Sequence, residues 1–454
     1  MILTVQSQMH NTITAIATAS GVASISIIRV SGDGAYSIAQ KITKLDKLTP
    51  RYAHLSSVYN KYDELIDQAI VIYFKSPYSF TGEDIVEFQC HGGLIVAQEI
   101  LDSVLSCGAR LAEPGEFSKR AFLNGKIDLT EAEAISKLIE AKSSDAAKIL
   151  AKQLKGELKE FVDSSREALL KAMAYSEVMI DYAEEDIPSD VLENISKQLD
   201  TLIEKIDNLV DASYRRRGLI EGFKVAIIGK PNVGKSSLLN ALLSYDRAIV
   251  SDIAGTTRDT IEEQIRIGSH IIRLVDTAGI RESNDTIEKI GIQKSLESLE
   301  QSDIIIALFD ASREFDSEDE NILQMLQETK DKHIIVALNK CDLPKIIDIS
   351  KLQEYNPIEV SAKRGFKELT KKLEDILDSI GEGDEMMLVS ARQIEAVNKA
   401  KEALVLAKEP LMNEELEFFS YHIQDALQAL SSISKPYNNE EILDKMFGEF
   451  CLGK

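Results

Sequence analysis

Short apolar-rich runs, each followed by a polar loop, divide the middle of the chain. They stand at 223–228, 271–275, 334–338 and 358–360. A short apolar run bounded by turn-forming residues is typical of a buried strand. After the first of these loops, Ser236 to Leu242 has the composition of a helix start. Strands that alternate with helices in this way predict an α/β domain.

The amino-terminal part, from Met1 to about Asn124, mixes short strand patterns with turns. Residues 25–30 and 69–74 are strand-like, whereas Leu94 to Leu105 has a helical pattern. No acidic or basic residue occurs from Met1 to Ile28, but polar residues interrupt that segment throughout. We therefore expect strands there rather than a signal peptide or a membrane span, and an α+β domain overall.

From Leu129 to about Ala212, and again from Ser390 onward, apolar residues recur at helical spacing. Three stripes predict packed helical faces: Leu154, Leu158, Phe161 and Val162; Leu192, Ile195, Leu199, Leu202, Ile206 and Leu209; Leu416, Phe419, Ile423, Ala426 and Leu430. Because helical segments flank the α/β domain on both sides, we predict that this domain is inserted into one helical domain, with the ends of the insert close together.

Two short segments are interpreted as linkers at the edges of the α/β domain. Tyr214 to Gly218 contains a basic triplet, for which a solvated linker is favoured over a contact to RNA phosphates. Gly381 to Asp384 consists only of glycine and acidic residues. With these edges, the α/β domain runs from about Glu221 to Ile380.

The composition is that of an ordinary soluble chain with real cores. Its 454 residues are 44% hydrophobic and 28% charged, which is enough for about three domains. The net charge of −23 argues against a bulk surface that clamps phosphate backbones. If a nucleic acid is the substrate, a local basic patch or a basic partner must present it.

The 4 cysteines are Cys90, Cys107, Cys341 and Cys451, and they form no C-x-x-C pair. That spacing argues against zinc ribbons and redox dithiols. Few, scattered thiols are typical of a reducing cytosol, and no segment is apolar enough to cross a bilayer. We therefore expect a cytoplasmic protein.

The loop after the first apolar run carries a phosphate-binding motif. Gly229 to Ser236 has the form G-x-x-x-x-G-K-[ST] between a predicted strand and a predicted helix. Glycines let several backbone N–H groups converge on phosphates, and the helix N-terminus adds positive potential. Lys235 supplies a point charge, and the Ser236 hydroxyl can ligate Mg²⁺. A chance glycine-rich turn is the alternative.

Three further loops follow the other predicted strands. Asp276 to Gly279 is a D-x-x-G segment, whose Asp reaches the Mg²⁺ shell and whose Gly N–H faces the γ-phosphate. Asn339 to Asp342 is an N-K-x-D segment, in which one carboxylate accepts from two guanine donors that adenine lacks. Ser361 to Lys363 fits a loop that covers the edge of the base. Four motifs in this order predict a GTP-binding domain.

Ile280 stands directly after the D-x-x-G segment, where many small GTPases place a glutamine that orients the attacking water. Isoleucine cannot orient water, and no arginine finger is evident. Asn232 and the loop from Ser251 to Asp259 offer amide and carbonyl oxygens suited to a monovalent cation at the place an arginine would reach. Thr257 would then supply the second hydroxyl to Mg²⁺. The alternative is that Asn232 only stabilises the loop.

The chain resembles the MnmE (TrmE) family of bacterial-type tRNA wobble-uridine modification GTPases over its whole length. Beyond the GTP-binding motifs, the resemblance rests on Ser79 to Phe88, on Glu113 to Lys126 and on the terminus from Phe450 to Lys454. It implies a multidomain protein, α/β plus all-α, in which a central helical domain carries an inserted Ras-like P-loop GTPase domain.

The implied domains have the following bounds. An α+β tetrahydrofolate-binding and dimerisation domain is expected at 1–126, and the helical domain at 127–218 and 381–454. The inserted GTPase domain is expected at 219–380.

The resemblance also implies site residues. The expected GTP-binding residues are Asn232, Val233, Gly234, Lys235, Ser236, Ser237, Ser251, Asp252, Ile253, Ala254, Gly255, Thr256, Thr257, Asp276, Thr277, Ala278, Gly279, Asn339, Lys340, Asp342, Ser361, Ala362 and Lys363. Those expected to hold metals are Ser236 and Thr257 for Mg²⁺, and Asn232, Ser251, Ile253 and Thr256 for K⁺. The expected folate contacts are Arg29, Glu87, Lys126 and Lys454. Glu288 is expected to position the hydrolytic water.

Cys451 is a candidate residue of the modification site. A thiol needs a depressed pKa to act as a nucleophile near neutral pH, and no neighbouring Lys, Arg or His is forced upon it by the sequence. We therefore favour packing or positioning over covalent catalysis for this residue.

The resemblance implies partners as well. The family acts on tRNA as a homodimer together with MnmG (GidA), a flavoprotein that uses FAD and NADH. GTP, Mg²⁺, K⁺ and 5-formyl- or 5,10-methylene-tetrahydrofolate are the implied cofactors. The reaction installs an aminomethyl or carboxymethylaminomethyl group on C5 of the wobble uridine, U34.

Two alternatives are other classes of GTPase. A regulatory ribosome-assembly GTPase, similar to Era and EngA, would carry a KH-like RNA-binding domain or a second GTPase domain, and neither is visible in the sequence. A membrane iron-transport GTPase would need a spanning segment, which the sequence lacks.

Overall fold

The computed structural model describes residues 12–19, 21–141, 143–181, 189–245, 263–275, 299–300, 302–329, 332–361, 363, 365–383, 385–435, 440–448, 450 and 453. The chain divides into two compact units. The first unit comprises Met1–Ser136, Gln153–Leu199 and Glu395–Lys454. The second unit comprises Lys137–Lys152 and Asp200–Ile394.

The first unit contains a six-stranded, mostly antiparallel sheet. Its elements are β1 (Ile13–Ile16), β2 (Ile25–Ser31), α1 (Ala35–Thr43), β3 (Ala53–Tyr59), β4 (Leu65–Phe74), β5 (Ile85–His91), α2 (Leu94–Ser106) and β6 (Arg110–Leu111). The strands lie in the order β3-β4-β5-β2-β1-β6, and only the β1–β6 pair is parallel. Helices α1 and α2 cover one face, where Ile38 and Ile100 pack with Val30 and Phe88 of the sheet. The α+β prediction and its two strands are therefore confirmed.

Long helices complete the first unit and contribute to the second, to which α5 belongs up to Lys152 and α7 from Asp200. The helices outside the sheet region are α3 (Glu116–Leu123), α4 (Leu129–Glu140), α5 (Ser144–Leu154), α6 (Glu157–Asp181), α7 (Ser189–Glu221), and, near the end of the chain, α11 (Ala391–Met412), α12 (Leu416–Ser434) and α13 (Glu440–Gly448). The predicted stripe on α12 is buried, from Leu416 to Leu430. α12 packs on α6, where the Ser176 and Ser420 hydroxyl oxygens lie 2.7 Å apart.

One predicted stripe is divided between two helices. Leu154 ends α5, whereas Leu158 and Val162 are buried on α6, which begins at Glu157. Gly156 adopts a φ of 90°, in the left-handed region that favours glycine, and so interrupts the helix. The prediction of one continuous face from Leu154 to Val162 is therefore wrong.

The second unit is built on another six-stranded sheet. Its further elements are β7 (Phe223–Ile228), α8 (Lys235–Tyr245), β8 (Glu263–Ile267), β9 (His270–Leu274), β10 (Ile304–Asp310), α9 (Ser317–Glu328), β11 (His333–Asn339), a 3-10 helix (Ser350–Tyr355), β12 (Ile358–Glu359) and α10 (Lys367–Gly381). The order is β12-β11-β10-β7-β9-β8, and every pair is parallel except β8–β9.

Both faces of this second sheet are buried. On β10, Ile304, Ile306 and Leu308 belong to the core under α8 and α10, while Ile305 and Phe309 belong to the core under α9. Burial on both faces requires apolar side chains at consecutive positions, which is why the strands read as uninterrupted apolar runs. The α/β prediction and its four strands are confirmed.

The segment Tyr214–Gly218 lies inside α7, so its interpretation as a linker is wrong. Arg216 is only 6% exposed. Its guanidinium donates to the backbone carbonyls of Gly381, Gly383 and Glu385 at 3.3, 2.9 and 3.1 Å. Residues 382 and 383 lie outside any helix or strand, as expected of a linker, but the Gly383 carbonyl is held by this arginine. Within the part of the chain described above, no helix is both long and apolar enough to span a membrane.

Candidate nucleotide-binding site and the polar site of the first sheet

The phosphate-binding motif forms the loop between β7 and α8. Gly229, Asn232 and Gly234 adopt φ values of 154°, 61° and 107°. A Cβ atom on Gly234 would lie 2.2 Å from Asn339 Nδ2, so the loop admits no side chain there. The loop follows a central strand of the sheet at its carboxyl end, which is the usual position of ligands in open α/β sheets.

Lys235 begins α8 and bends back over the loop. Its Nζ donates to the carbonyls of Gly229 and Lys230 at 2.6 and 3.0 Å. Burial lowers the pKa of Lys235 because the charged ammonium loses hydration. Ser236 and Ser237 follow it, and both are exposed. A cation and two hydroxyl groups therefore meet at the positive end of a helix.

The N-K-x-D loop, which follows β11, holds the phosphate loop from the other side. Asn339 is buried, and its Nδ2 donates to the Val233 carbonyl at 2.8 Å. Lys340 Nζ donates to the Asn232 carbonyl at 2.9 Å and to Asp310 Oδ2 at 2.6 Å. Two residues of the motif thus fix the backbone of the loop.

Asp342 lies beside the loop that follows β12. Its Oδ2 is 2.9 Å from Lys363 Nζ, and the hydrogen bond from this lysine lowers the pKa of the Asp342 carboxyl. Ser361 is fully buried and bridges to Gly365. An ionised carboxylate offers two acceptor oxygens, as recognition of the guanine edge requires.

In the first sheet, Arg29 on β2 is the cross-strand partner of Glu87 on β5. Arg29 Nε donates to Glu87 Oε1 at 2.9 Å, and their side chains are 23% and 14% exposed. The guanidinium carbon lies 5.7 Å from the ring centre of Phe80 and 5.6 Å from that of Phe117. Such distances allow cation–π attraction, so the arginine is held by both charge and aromatic contact.

The segments 79–88 and 113–126 meet each other in the structure. Asn124 Nδ2 donates to the Thr81 carbonyl at 2.7 Å, and Lys126 Nζ donates to the Pro77 carbonyl at 2.8 Å. Beneath them, buried Arg120 contacts both Glu83 and Glu116.

Gly453 lies against the same sheet. Gly453 has a φ of 90°, and a Cβ atom there would lie 2.6 Å from the carbonyl oxygen of Ile16 at the end of β1. The residue before it on β1, Ala15, is the cross-strand partner of Arg29. Gly453 therefore lies beside β1, the strand that pairs with the Arg29 strand β2.

Comparison with known proteins finds matches along the chain. Residues 12–126 match the family model described as "GTP-binding protein TrmE N-terminus", and residues 129–451 match the "MnmE helical domain". The "tRNA modification GTPase MnmE" of Sulfurovum sp. (strain NBC37-1) is 76% identical over 99% of this chain and 100% of its own length. The protein of the same description from Aliarcobacter butzleri is 60% identical over 98% of this chain and 99% of its own length.

This chain belongs to the MnmE family. Like the family, it is a GTP hydrolase built from an N-terminal domain, a helical domain and a Ras-like GTPase domain. The match outside the GTPase domain also argues against the ribosome-assembly alternative.

Among solved structures, similar chains include Era bound to MgGDPNP and a segment of 16S ribosomal RNA, at 28% identity. That match covers 40% of this chain and 67% of the other, with a TM-score of 0.26. The FeoB G-domain of Methanococcus jannaschii matches at 24% identity over 34% of this chain and 98% of its own, with a TM-score of 0.26.

Several predicted MnmE site residues lie outside the described part of the chain. They are Ser251, Asp252, Ile253, Ala254, Gly255, Thr256 and Thr257; Asp276, Thr277, Ala278 and Gly279; and Glu288, Ala362, Cys451 and Lys454.

Asp310, at the end of β10, was missed by the sequence reasoning. Burial acts to raise its pKa, but hydrogen bonds from Lys340 and Ser312 outweigh burial and lower it. The signal was present, because an apolar run ends in Asp310 just as another ends in Asn339. The contacts of buried Arg120 were missed too, and no local pattern indicates them.

Proposed function

We propose that this protein is a K⁺-dependent GTPase that works with the flavoprotein MnmG on the wobble uridine U34 of certain tRNAs. The product carries an aminomethyl or carboxymethylaminomethyl group on C5, with the one-carbon unit supplied by a tetrahydrofolate. The name of its relatives, tRNA modification GTPase, supports tRNA as the substrate.

The single observation that carries the proposal is the position of Gly453. A chain end is normally frayed and tolerant of change. Here Gly453 is buried against the carbonyl of Ile16, on the strand that pairs with that of Arg29. This contact of Gly453 with the sheet of the first unit supports a role for the motif from Phe450 to Lys454 at that sheet rather than at the GTP-binding loops.

The residues of this sheet fit a folate. Arg29 and Glu87 lie beside Phe80 and Phe117, and aromatic rings next to a carboxylate suit a flat heterocycle with N–H donors. Lys126 and Lys454 would pair with the carboxylates of the glutamate tail. Cys451 would position the tail rather than react.

The GTP-binding loops fit the two proposed metals. Mg²⁺ would be held by Ser236 and Thr257, and K⁺ by Asn232, Ser251, Ile253 and Thr256. The exposed side chain of Asn232, on a backbone that Lys340 holds, supports its role as a ligand. K⁺ would supply positive charge to the phosphates, while Glu288 positions the attacking water.

The proposed organisation follows the family. The folate-binding domain at 1–126 would form the homodimer, the helical domain would span 127–218 and 381–454, and the GTPase domain 219–380. We propose a cytoplasmic location, with FAD and NADH entering through MnmG.

The test is nucleoside analysis of tRNA from a strain that lacks the gene and expresses variants of the full chain. Removal of Cys451 to Lys454 should abolish the modified uridine and leave GTP turnover nearly intact. Lys454→Met should lower modification, whereas the exposed control Lys445→Met should not. Cys451→Ser should retain part of the modification. Loss of both activities on truncation would mean that the tail supports the fold, and normal modification would remove it from the site.

A further inference from the structure

Lys230, the first residue after Gly229 in the phosphate loop, is buried. The motif accepts any residue at this position, yet the Lys230 side chain is only 7% exposed. Removing an ammonium from water is costly unless partners compensate for the lost hydration. The surroundings of Lys230 therefore indicate what this lysine does.

The Lys230 ammonium is paired with two carboxylates. Lys230 Nζ lies 2.7 Å from Asp316 Oδ2 and 2.6 Å from Asp319 Oδ2. Burial acts to lower the pKa of Lys230, but the hydrogen bonds to both carboxylates raise it. The hydrogen bond from Lys230 in turn lowers the pKa of Asp316. Lys230 and Asp316 are therefore both charged near neutral pH.

The same two residues cap the N-terminus of helix α9. Asp316 is its N-cap and accepts from the backbone N–H groups of Glu318 and Asp319, while the Asp319 side chain accepts from the Asp316 N–H. α9 packs on the sheet through Ile322, Leu323 and Leu326. Its first turn is thus a fixed point to which the loop is tied.

The backbone of Lys230 carries this constraint to the phosphate-binding lysine. Lys235 Nζ is held by the carbonyls of Gly229 and Lys230. Gly229 lies close to β10, because a Cβ atom added there would be only 2.6 Å from the Leu308 carbonyl oxygen. The anchored side chain and the carbonyls that orient Lys235 therefore belong to one short, constrained stretch.

We propose that Lys230 is a positioning residue for GTP hydrolysis. Its ion pairs with Asp316 and Asp319 fix the stem of the phosphate loop and so hold Lys235 where it meets the phosphates. Lys230 itself does not touch the nucleotide.

The main experiment compares Lys230→Met with Lys351→Met in the full chain, with K⁺ and Mg²⁺ present. Lys351 is the matched control because it pairs with Glu320 of the same helix but is 49% exposed. We expect kcat for GTP to fall about tenfold to a hundredfold in Lys230→Met, since small displacements of catalytic groups have effects of that size. KM should change by less than about threefold, and the control should stay within about twofold.

Conservative and paired variants distinguish a positioning role of Lys230 from a role in stability alone. Lys230→Arg should recover most of kcat, and Asp319→Asn should reproduce the loss. In the double variant Lys230→Met/Asp319→Asn, the second substitution should add little, because the groups act as a unit. If Lys230→Met does not fold, Asp319→Asn and Lys230→Arg decide the question.

The proposal is overturned if kcat in Lys230→Met, or in Asp319→Asn where the first does not fold, stays within about twofold of the parent while only the melting temperature falls. Losses that simply multiply in the double variant would also overturn it.

Discussion

In the sheet of the second unit the polar residues of interest lie at or just after the ends of the strands, whereas in the sheet of the first unit they lie within the strands. Asp310 and Asn339 end β10 and β11, and the phosphate loop follows β7. Arg29 and Glu87 instead face each other across β2 and β5. Residues at strand ends come together because parallel strands end at one edge, so a local motif can reveal them, as it did for Asn339 but not for Asp310. Residues within strands are brought together only by the register in which the strands pair, and no local sequence motif encodes that register.

Exchanging K⁺ for Na⁺ should distinguish the two sheets by the largest effect. If K⁺ supplies charge only at the loops of the second sheet, replacing KCl by NaCl should lower GTP turnover by about 10³-fold or more, by analogy with arginine fingers. Folate binding by the same samples should not change. Equal turnover in the two salts would contradict the K⁺ proposal.

Base selection tests whether a single residue of a loop that follows a strand determines a function. Asp342→Asn replaces an acceptor by a donor, so the preference should move from GTP toward XTP, which has a carbonyl in place of the 2-amino group. We expect the ratio of kcat/KM values to shift about a hundredfold or more. Lys363→Met, which removes only the partner of Asp342, should keep the preference for GTP. An unchanged preference in Asp342→Asn would show that the guanine loop is misassigned.

Arg216 makes long-range contacts within the unit that carries the GTP-binding motifs. It therefore tests whether contacts without a local motif matter in that unit too. Arg216→Met would leave the carbonyls of Gly381, Gly383 and Glu385 without this donor. We expect the free energy of unfolding in urea, followed by circular dichroism, to fall by about 2–3 kcal/mol. Arg217→Met, at an exposed neighbour paired with Glu221, should change it by less than about 0.5 kcal/mol. Equal effects would contradict a stabilising role for the Arg216 contacts.

The smallest expected effect is a pH dependence at Asp310. Its pKa is lowered in the folded state, so its ion pair with Lys340 contributes stability above the unfolded aspartate pKa of about 4. That contribution is lost as the pH falls through the folded value. The stability difference between the parent and Asp310→Asn should therefore shrink between about pH 7 and pH 3. A difference that does not depend on pH would contradict the assignment.

The residues that the sequence revealed and those it did not differ in the range of their contacts. The strands before Gly229 and Asn339 were predictable because burial on both faces leaves consecutive apolar residues. Lys230 was not, because its partners Asp316 and Asp319 lie 86 and 89 positions away. Arg216 was misread for the same reason, since its acceptors lie at least 165 positions away.

The polar site of the first sheet became predictable only through family resemblance. Arg29 and Glu87 are separated by 58 positions, and only the register of β2 and β5 pairs them. The burial of Gly453 against Ile16 has no local signal either, because the two residues are far apart in the sequence.

The central claim is that the two sheets carry separate sites. It is tested most directly by calorimetric titration of 5-formyl-tetrahydrofolate into the parent, Arg29→Ala and Lys235→Ala chains, with GTP turnover measured on the same samples. We predict that Arg29→Ala loses folate binding and keeps GTP turnover, and that Lys235→Ala does the reverse. Folate binding that survives in Arg29→Ala, or that is lost in a folded Lys235→Ala chain, would contradict the account.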